Sequence, residues 1–212
     1  MSRLASGRMV PKVSRARIRL MGGLGAVALA GSLGLAACGR RPGFKSIDLT
    51  GSKWGRDFSL SAPDGGLRTL ADFKDKVVLL FFGFTYCPDV CPTALARAVE
   101  VRKQLGAAAD RVQVIFVTID PERDSAELLK AYTQAFDPSF LGLRGSAEQT
   151  KRAASEFKVV YEKVVTGASY TMNHSTTTYV FDTRGRLRLA VQHAQPAADI
   201  VSDLRILLGE DR

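Results

Sequence analysis

A chain of 212 residues with 46% hydrophobic composition is long enough for one domain of ordinary size and short for two. Its formal charge of +9 is unevenly placed: Arg3, Arg8, Lys12, Arg15, Arg17 and Arg19 stand in the first 37 residues without a single acid, and the remainder carries only +3. Arg40-Arg41 and Lys151-Arg152 are scattered pairs rather than a clustered basic face, so nucleic acid is not an expected partner.

The basic N-terminus runs into 18 uncharged residues, Leu20 to Ala37, that end "LGLAAC" at Cys38. A basic stretch, an apolar stretch and small residues before a cut describe a secretory signal over 1–37. Leu35-Ala36-Ala37-Cys38 resembles a bacterial lipobox, in which the cysteine is lipidated and becomes the mature N-terminus. An uncleaved transmembrane anchor is the alternative, because 18 residues just span a bilayer. Both readings tether the remainder outside the cytoplasm, on the periplasmic side of a bacterial envelope. Residues 38–53, rich in Gly, Ser and basic side chains, read as a flexible tether, which starts the folded domain at Trp54 and runs it to residue 212.

Within that domain, "DFSLSAPDGGLRTL" predicts a hairpin turning at Pro63 to Gly66. "KVVLLFFGF" (76–84) and "RVQVIFVTID" (111–120) lack alternation and predict strands buried on both faces. Helical spacing predicts a helix over 94–106 and two more opened by Ser125 and Ser146 as N-caps. "HSTTTYVFDTRGRLRLAV" predicts two strands joined at 182–186, and 197–208 a last helix. The alternation predicts an α/β domain, thioredoxin-like in layout, with a central mixed sheet flanked by helices and an N-terminal β-hairpin. Sites in such sheets lie beyond the carboxyl ends of the strands.

Cys87 and Cys91 stand at that place, each followed by proline, in "CPDVCP". With a helix starting near 87–89, the i, i+4 spacing puts both sulfurs on one side of its first turn, where the helix N-terminus favours thiolate. Two packing cysteines are the bland alternative. Disulfide-exchange enzymes of this fold use C-x-x-C, and the chain has three intervening residues; nor does it have a proline between Pro138 and Pro196 to face the cysteines. Peroxiredoxin-type sites carry Thr three residues before the cysteine, where this chain has Phe84 or Pro88. Two thiolates suit Cu(I), and a nitrogen donor helps hold Cu(II). Of two histidines, His193 reads as a loop-end residue, whereas His174 enters the terminal hairpin opposite the cysteine loop.

"GFTYCPDVCPTAL", "VTIDPERDS" and "NHSTTTYVFDTRGRL" resemble, in order, the three signature blocks of the Sco (SenC) copper chaperone family, over roughly Trp54 to Leu208. The resemblance implies one copper, as Cu(I) or Cu(II), held by Cys87, Cys91 and His174. It also implies a role in assembling the copper A centre of cytochrome c oxidase subunit II, by delivering copper or by reducing the recipient's cysteines. Its implied partners are apo subunit II and other periplasmic copper chaperones or thioredoxin-like reductases. On the second route Cys87 and Cys91 form a redox-active pair with a reversible disulfide, and the protein is a thiol-disulfide reductase rather than a carrier. Tyr86, where the family often has His, and Asn173, where it often has Asp, depart from the pattern without removing a ligand.

Asp120 admits two readings, a group that orients a ligand or tunes the thiolates, and a cap on the turn at Pro121. Glu122, Arg123 and Asp124 read as a local salt-bridged turn. Met172 reads as loop packing with an occasional ligand role as the alternative, and Phe82, Phe84 and Tyr86 as the dry wall of the site.

Overall fold

The computed structural model describes residues 43–209. Cys38, the signal stretch 1–37 and the first part of the expected tether lie outside them. Among the described residues no helix is long and apolar enough to cross a membrane.

The strands are β1 (Ile47–Asp48), β2 (Leu60–Ser61), β3 (Leu67–Arg68), β4 (Val77–Gly83), β5 (Val112–Thr118), β6 (Leu141–Leu143), β7 (Tyr161–Thr166), β8 (Ser169–His174), β9 (Thr178–Phe181) and β10 (Leu187–Val191). The helices are α1 (Val90–Leu105), α2 (Ala126–Phe136), α3 (Ala147–Glu156) and α4 (Ala197–Leu208). Six strands form one mixed sheet in the order β1-β10-β9-β4-β5-β6. β4 runs parallel to β5 and antiparallel to β9, which makes this the expected thioredoxin-like α/β layout. The predicted N-terminal hairpin is present as β2–β3.

Every residue of β4 is buried, because both faces of the sheet are covered. Leu79 and Phe81 face α1 and α4 across a small apolar cavity lined also by Leu95, Val114 and Ile200. On the opposite face Phe82 meets Phe157, which follows α3 and packs in turn on Tyr179 and Phe181. Ser125 and Ser146 cap α2 and α3 through their hydroxyls, each accepting the third helical N–H.

The tether expectation needs correction where the structure covers it. Residues 45–49 do not hang free: Ile47 and Asp48 pair with Ala190 and Leu189 as an edge strand, and Leu49 N–H donates to Arg188 C=O. Just before them, the Lys45 and Ser46 N–H groups donate to the Asp203 carboxylate at 2.7 and 2.8 Å. Asp203 is fully buried on α4, so two donors that would otherwise be lost to water are matched to a charge that needs them. The folded domain therefore begins before Trp54. Because β1 is antiparallel to β10, and β10 runs in the direction of β4, the chain enters the sheet at the end where β4 delivers its cysteine loop.

A further hairpin, β7–β8, stands apart from the large sheet and pairs only with itself, from Tyr161 opposite His174 to Thr166 opposite Ser169. It is not among the predicted elements, and it places His174 at the end of β8 rather than at the start of the terminal hairpin β9–β10.

Candidate metal centre

β4 ends at Gly83, and the chain turns through Phe84 to Asp89 before α1 begins at Val90. The helix starts four residues earlier than its spacing predicts, placing Cys91 in its first turn, while Cys87 lies in the preceding loop. Asp89 makes no side-chain cap to the helix backbone. Cys87 takes that place: the Cys91 N–H, one of the helix's unpaired donors, points to Cys87 Sγ at 3.4 Å. The loop leaves room for Cys91 only because residue 83 is glycine; a Cβ there would stand 2.7 Å from Cys91 Sγ and 2.8 Å from the Phe116 ring.

The two thiols are free and unlike each other. Cys87 is driven down to about 5, first by a hydrogen bond from the Cys91 thiol and further by the Asp89 and Cys91 N–H groups, with partial burial opposing. Cys91 is pushed up, because its proton is held by the Cys87 thiolate and its sulfur is buried. At neutral pH the pair is one exposed-side thiolate hydrogen-bonded by one buried thiol.

His174 ends β8 and its Nε2 lies 3.6 Å from Cys91 Sγ. Its Nδ1 lies 2.8 Å from the Ser175 carbonyl, which can only accept, so Nδ1 donates there and Nε2 is the ring nitrogen turned to the sulfurs. The imidazole stands edge-on between Phe81 and Phe84. The dry wall is therefore Phe81 and Phe84; Phe82 faces the other side of the sheet and Tyr86 is exposed. Met172 is buried in the core, as packing requires.

Cys87, Cys91 and His174 bring their ligand atoms within 4.8 Å of one another, the one such group of three among the described residues. His193 is not part of it. A single ion with bonds of about 2.0–2.3 Å closes a set of this size with little movement. Two sulfurs and one imidazole are a soft set with one borderline donor, which suits Cu(I) through the thiolates and Cu(II) once the nitrogen joins.

Asp120 and its neighbours do not touch the three ligands. The Asp120 carboxylate, buried after β5, accepts from Arg123 Nε and from the Tyr170 hydroxyl at 2.9 Å. Its carbonyl closes the turn by accepting the Arg123 and Asp124 N–H groups, so the turn-capping position is filled by backbone. Asp124, fully buried, forms no ion pair in that turn; it accepts from Thr85 N–H, Thr85 Oγ1 and Thr118 Oγ1, and so fixes the cysteine loop two residues before Cys87. Glu122 pairs across to Lys163 on β7. The turn is salt-bridged locally through Arg123 and Asp120, while Glu122 and Asp124 find partners outside it; no spacing signal marks Tyr170 or Thr85 as partners.

The SCO1/SenC family model matches residues 48–209. Among curated relatives, the mitochondrial protein SCO2 homolog of Bos taurus is 39% identical over 153 residues, which are 70% of this chain and 58% of that protein, so the chain spans under two thirds of its length. Among solved structures, apo Sco1 of Thermus thermophilus is 44% identical at a TM-score of 0.71, covering 78% of this chain and 98% of that one. Copper-bound ScoI of Bradyrhizobium japonicum is 36% identical at a TM-score of 0.66, covering 72% and 98%. With a family match across more than three quarters of its length and the two sulfurs and imidazole gathered at the end of β4, the chain belongs to the SCO1/SenC family.

Proposed function

We propose that the protein carries one copper ion on Cys87, Cys91 and His174 and assists assembly of the copper A centre in apo cytochrome c oxidase subunit II. It works on the extracytoplasmic face of a bacterial membrane, anchored through a lipid on Cys38 after removal of residues 1–37. The observation that carries the reading is the convergence of two sulfurs and an imidazole nitrogen in one small group. Copper-bound relatives of the same fold add support.

Copper here is cargo, and the residues suit a carrier. The Cys87 thiolate is available at neutral pH without prior proton loss, and it lies on the more open side, where a recipient's thiols can reach the ion. Cys91 is buried and remains behind as the last ligand. A chain of thiolate exchanges then moves the ion without releasing it to water.

A second reading, reduction of the recipient's cysteines, draws on the same thiolate-thiol asymmetry. The Cys87 thiolate attacks a target disulfide and one target thiolate leaves. Cys91 then gives up its proton and attacks the mixed disulfide, the second target thiolate leaves, and the Cys87–Cys91 disulfide remains. Two electrons pass to the target, and an external thioredoxin-like reductase must return them.

The deciding experiment measures copper stoichiometry and Cu(II) absorption and EPR on the reduced protein beside Cys87→Ser and His174→Ala. One copper per chain, with a thiolate charge-transfer band that Cys87→Ser abolishes and His174→Ala alters, supports the carrier. No tight copper, with a disulfide that cycles readily, moves the function to reduction.

A further inference from the structure

The two halves of the metal centre arrive on separate pieces of the fold. The cysteines belong to the large sheet through β4 and α1, whereas His174 ends a hairpin whose strands pair only with each other. Something must hold that hairpin at the right distance from the sulfurs.

The loop 120–124 touches both. On the cysteine side, Asp124 fixes Thr85 by its N–H and hydroxyl. On the histidine side, the Arg123 guanidinium lies over the Tyr170 ring, its carbon 3.6 Å from the ring centroid, and Nη1 donates to the Tyr170 carbonyl at 2.8 Å. The buried Asp120 carboxylate accepts from both Arg123 Nε and Tyr170 Oη, so ring, guanidinium and carboxylate lock one another. A charge-assisted contact with a planar guanidinium fixes orientation as well as distance, which a lysine cannot do. Tyr170 lies four residues before His174 on the same strand, so a side chain that fixes one sets the other.

The geometry points to Arg123 as the positioning residue that holds His174 Nε2 over the thiols, with Asp120 and Tyr170 as its fixed points. The inference rests on the copper reading above and deepens it. Two thiolates alone satisfy Cu(I), whereas Cu(II) draws on the nitrogen. Arg123 therefore selects for the oxidised ion: freeing the hairpin costs Cu(II) and spares Cu(I).

The test compares the full-length reduced protein with Arg123→Met, which keeps the stem and removes the guanidinium, and with Tyr170→Phe, which keeps the ring and removes one hydrogen bond. Because Arg123→Met leaves Asp120 as a buried unpaired charge, the double variant Asp120→Asn/Arg123→Met accompanies it. Cu(II) and Cu(I) ions are each titrated against a chelator, and amide hydrogen exchange is followed over residues 161–174 in the metal-free protein. Arg123→Met is expected to weaken Cu(II) by about 10–100-fold, the usual cost of losing a ligand's support, with Cu(I) affinity little changed. Hairpin amides exchange faster while β4 and β5 do not, and Tyr170→Phe falls between. If Arg123→Met does not fold, the double variant is judged by the same results. Equal weakening of both copper states, or unchanged hairpin exchange in a folded variant, overturns the inference. If the unsubstituted protein takes up no Cu(II), the copper reading fails, and hairpin exchange alone then decides whether Arg123 holds the hairpin.

Discussion

His174 Nε2 lies 3.6 Å from Cys91 Sγ, although 83 residues separate them in the chain. The pairing joins a helix-terminal sulfur to a histidine on an isolated hairpin, and it divides the copper chemistry between two sources of ligand. His174→Ala should therefore lower Cu(II) affinity sharply, leave Cu(I) bound through the two sulfurs, and leave dithiol exchange intact. Parallel chelator titrations in the two oxidation states, with a disulfide-exchange assay, check this. Equal loss of both ions would count against a divided site.

The thiols should titrate far apart. With Cys87 lowered from 9.0 to about 5, its alkylation rate should reach half its plateau near pH 5, while Cys91 stays unreactive through neutral pH. For stability, the depressed group contributes in full above pH 9.0, and that contribution declines on acidification until it is gone once the pH has fallen through about 5. Cys91 has the opposite sign, favouring the fold below 9.0 and losing that contribution as the pH rises. Cys91→Ala removes the chief cause of the Cys87 shift, so the alkylation midpoint should move up toward 9.0.

Gly83→Ala should be costly for a single methyl group. Its Cβ would meet Cys91 Sγ at 2.7 Å and Phe116 at 2.8 Å, both fully buried. Overpacking of this kind costs about 1–3 kcal/mol. Denaturant unfolding should show that loss, and the Cu(II) spectrum should change because the sulfur that must give way is a ligand.

Asp203→Ala should loosen the entry of the chain without touching the metal. The substitution leaves the Lys45 and Ser46 N–H groups unpaired, at a cost of about 1–3 kcal/mol. Amides of residues 45–49 should exchange faster, with copper affinity unchanged. A domain equally stable without Asp203 would show that the segment before Trp54 is only loosely attached.

Much of this protein was legible in local sequence. An unbroken apolar run marks β4, serines cap α2 and α3, and the spacing of Cys87 and Cys91 marks two neighbouring thiols at a strand's end, because these signals are local to one stretch of chain. The three-block resemblance supplied the ligand set that spacing left open. What local sequence did not reveal depends on partners far along the chain. β1 is two residues long, too short for any periodicity, and exists because β10 offers it an edge. The hairpin β7–β8 leaves only a weak apolar pattern, since Met172 is its one buried residue. Only the tertiary structure decided that Arg123, besides pairing with Asp120 in its own turn, reaches Tyr170, 47 positions on. Sequence by itself determined which atoms can bind the ion; folding decided how they are held, because a hydrogen bond between distant segments leaves no pattern in either one.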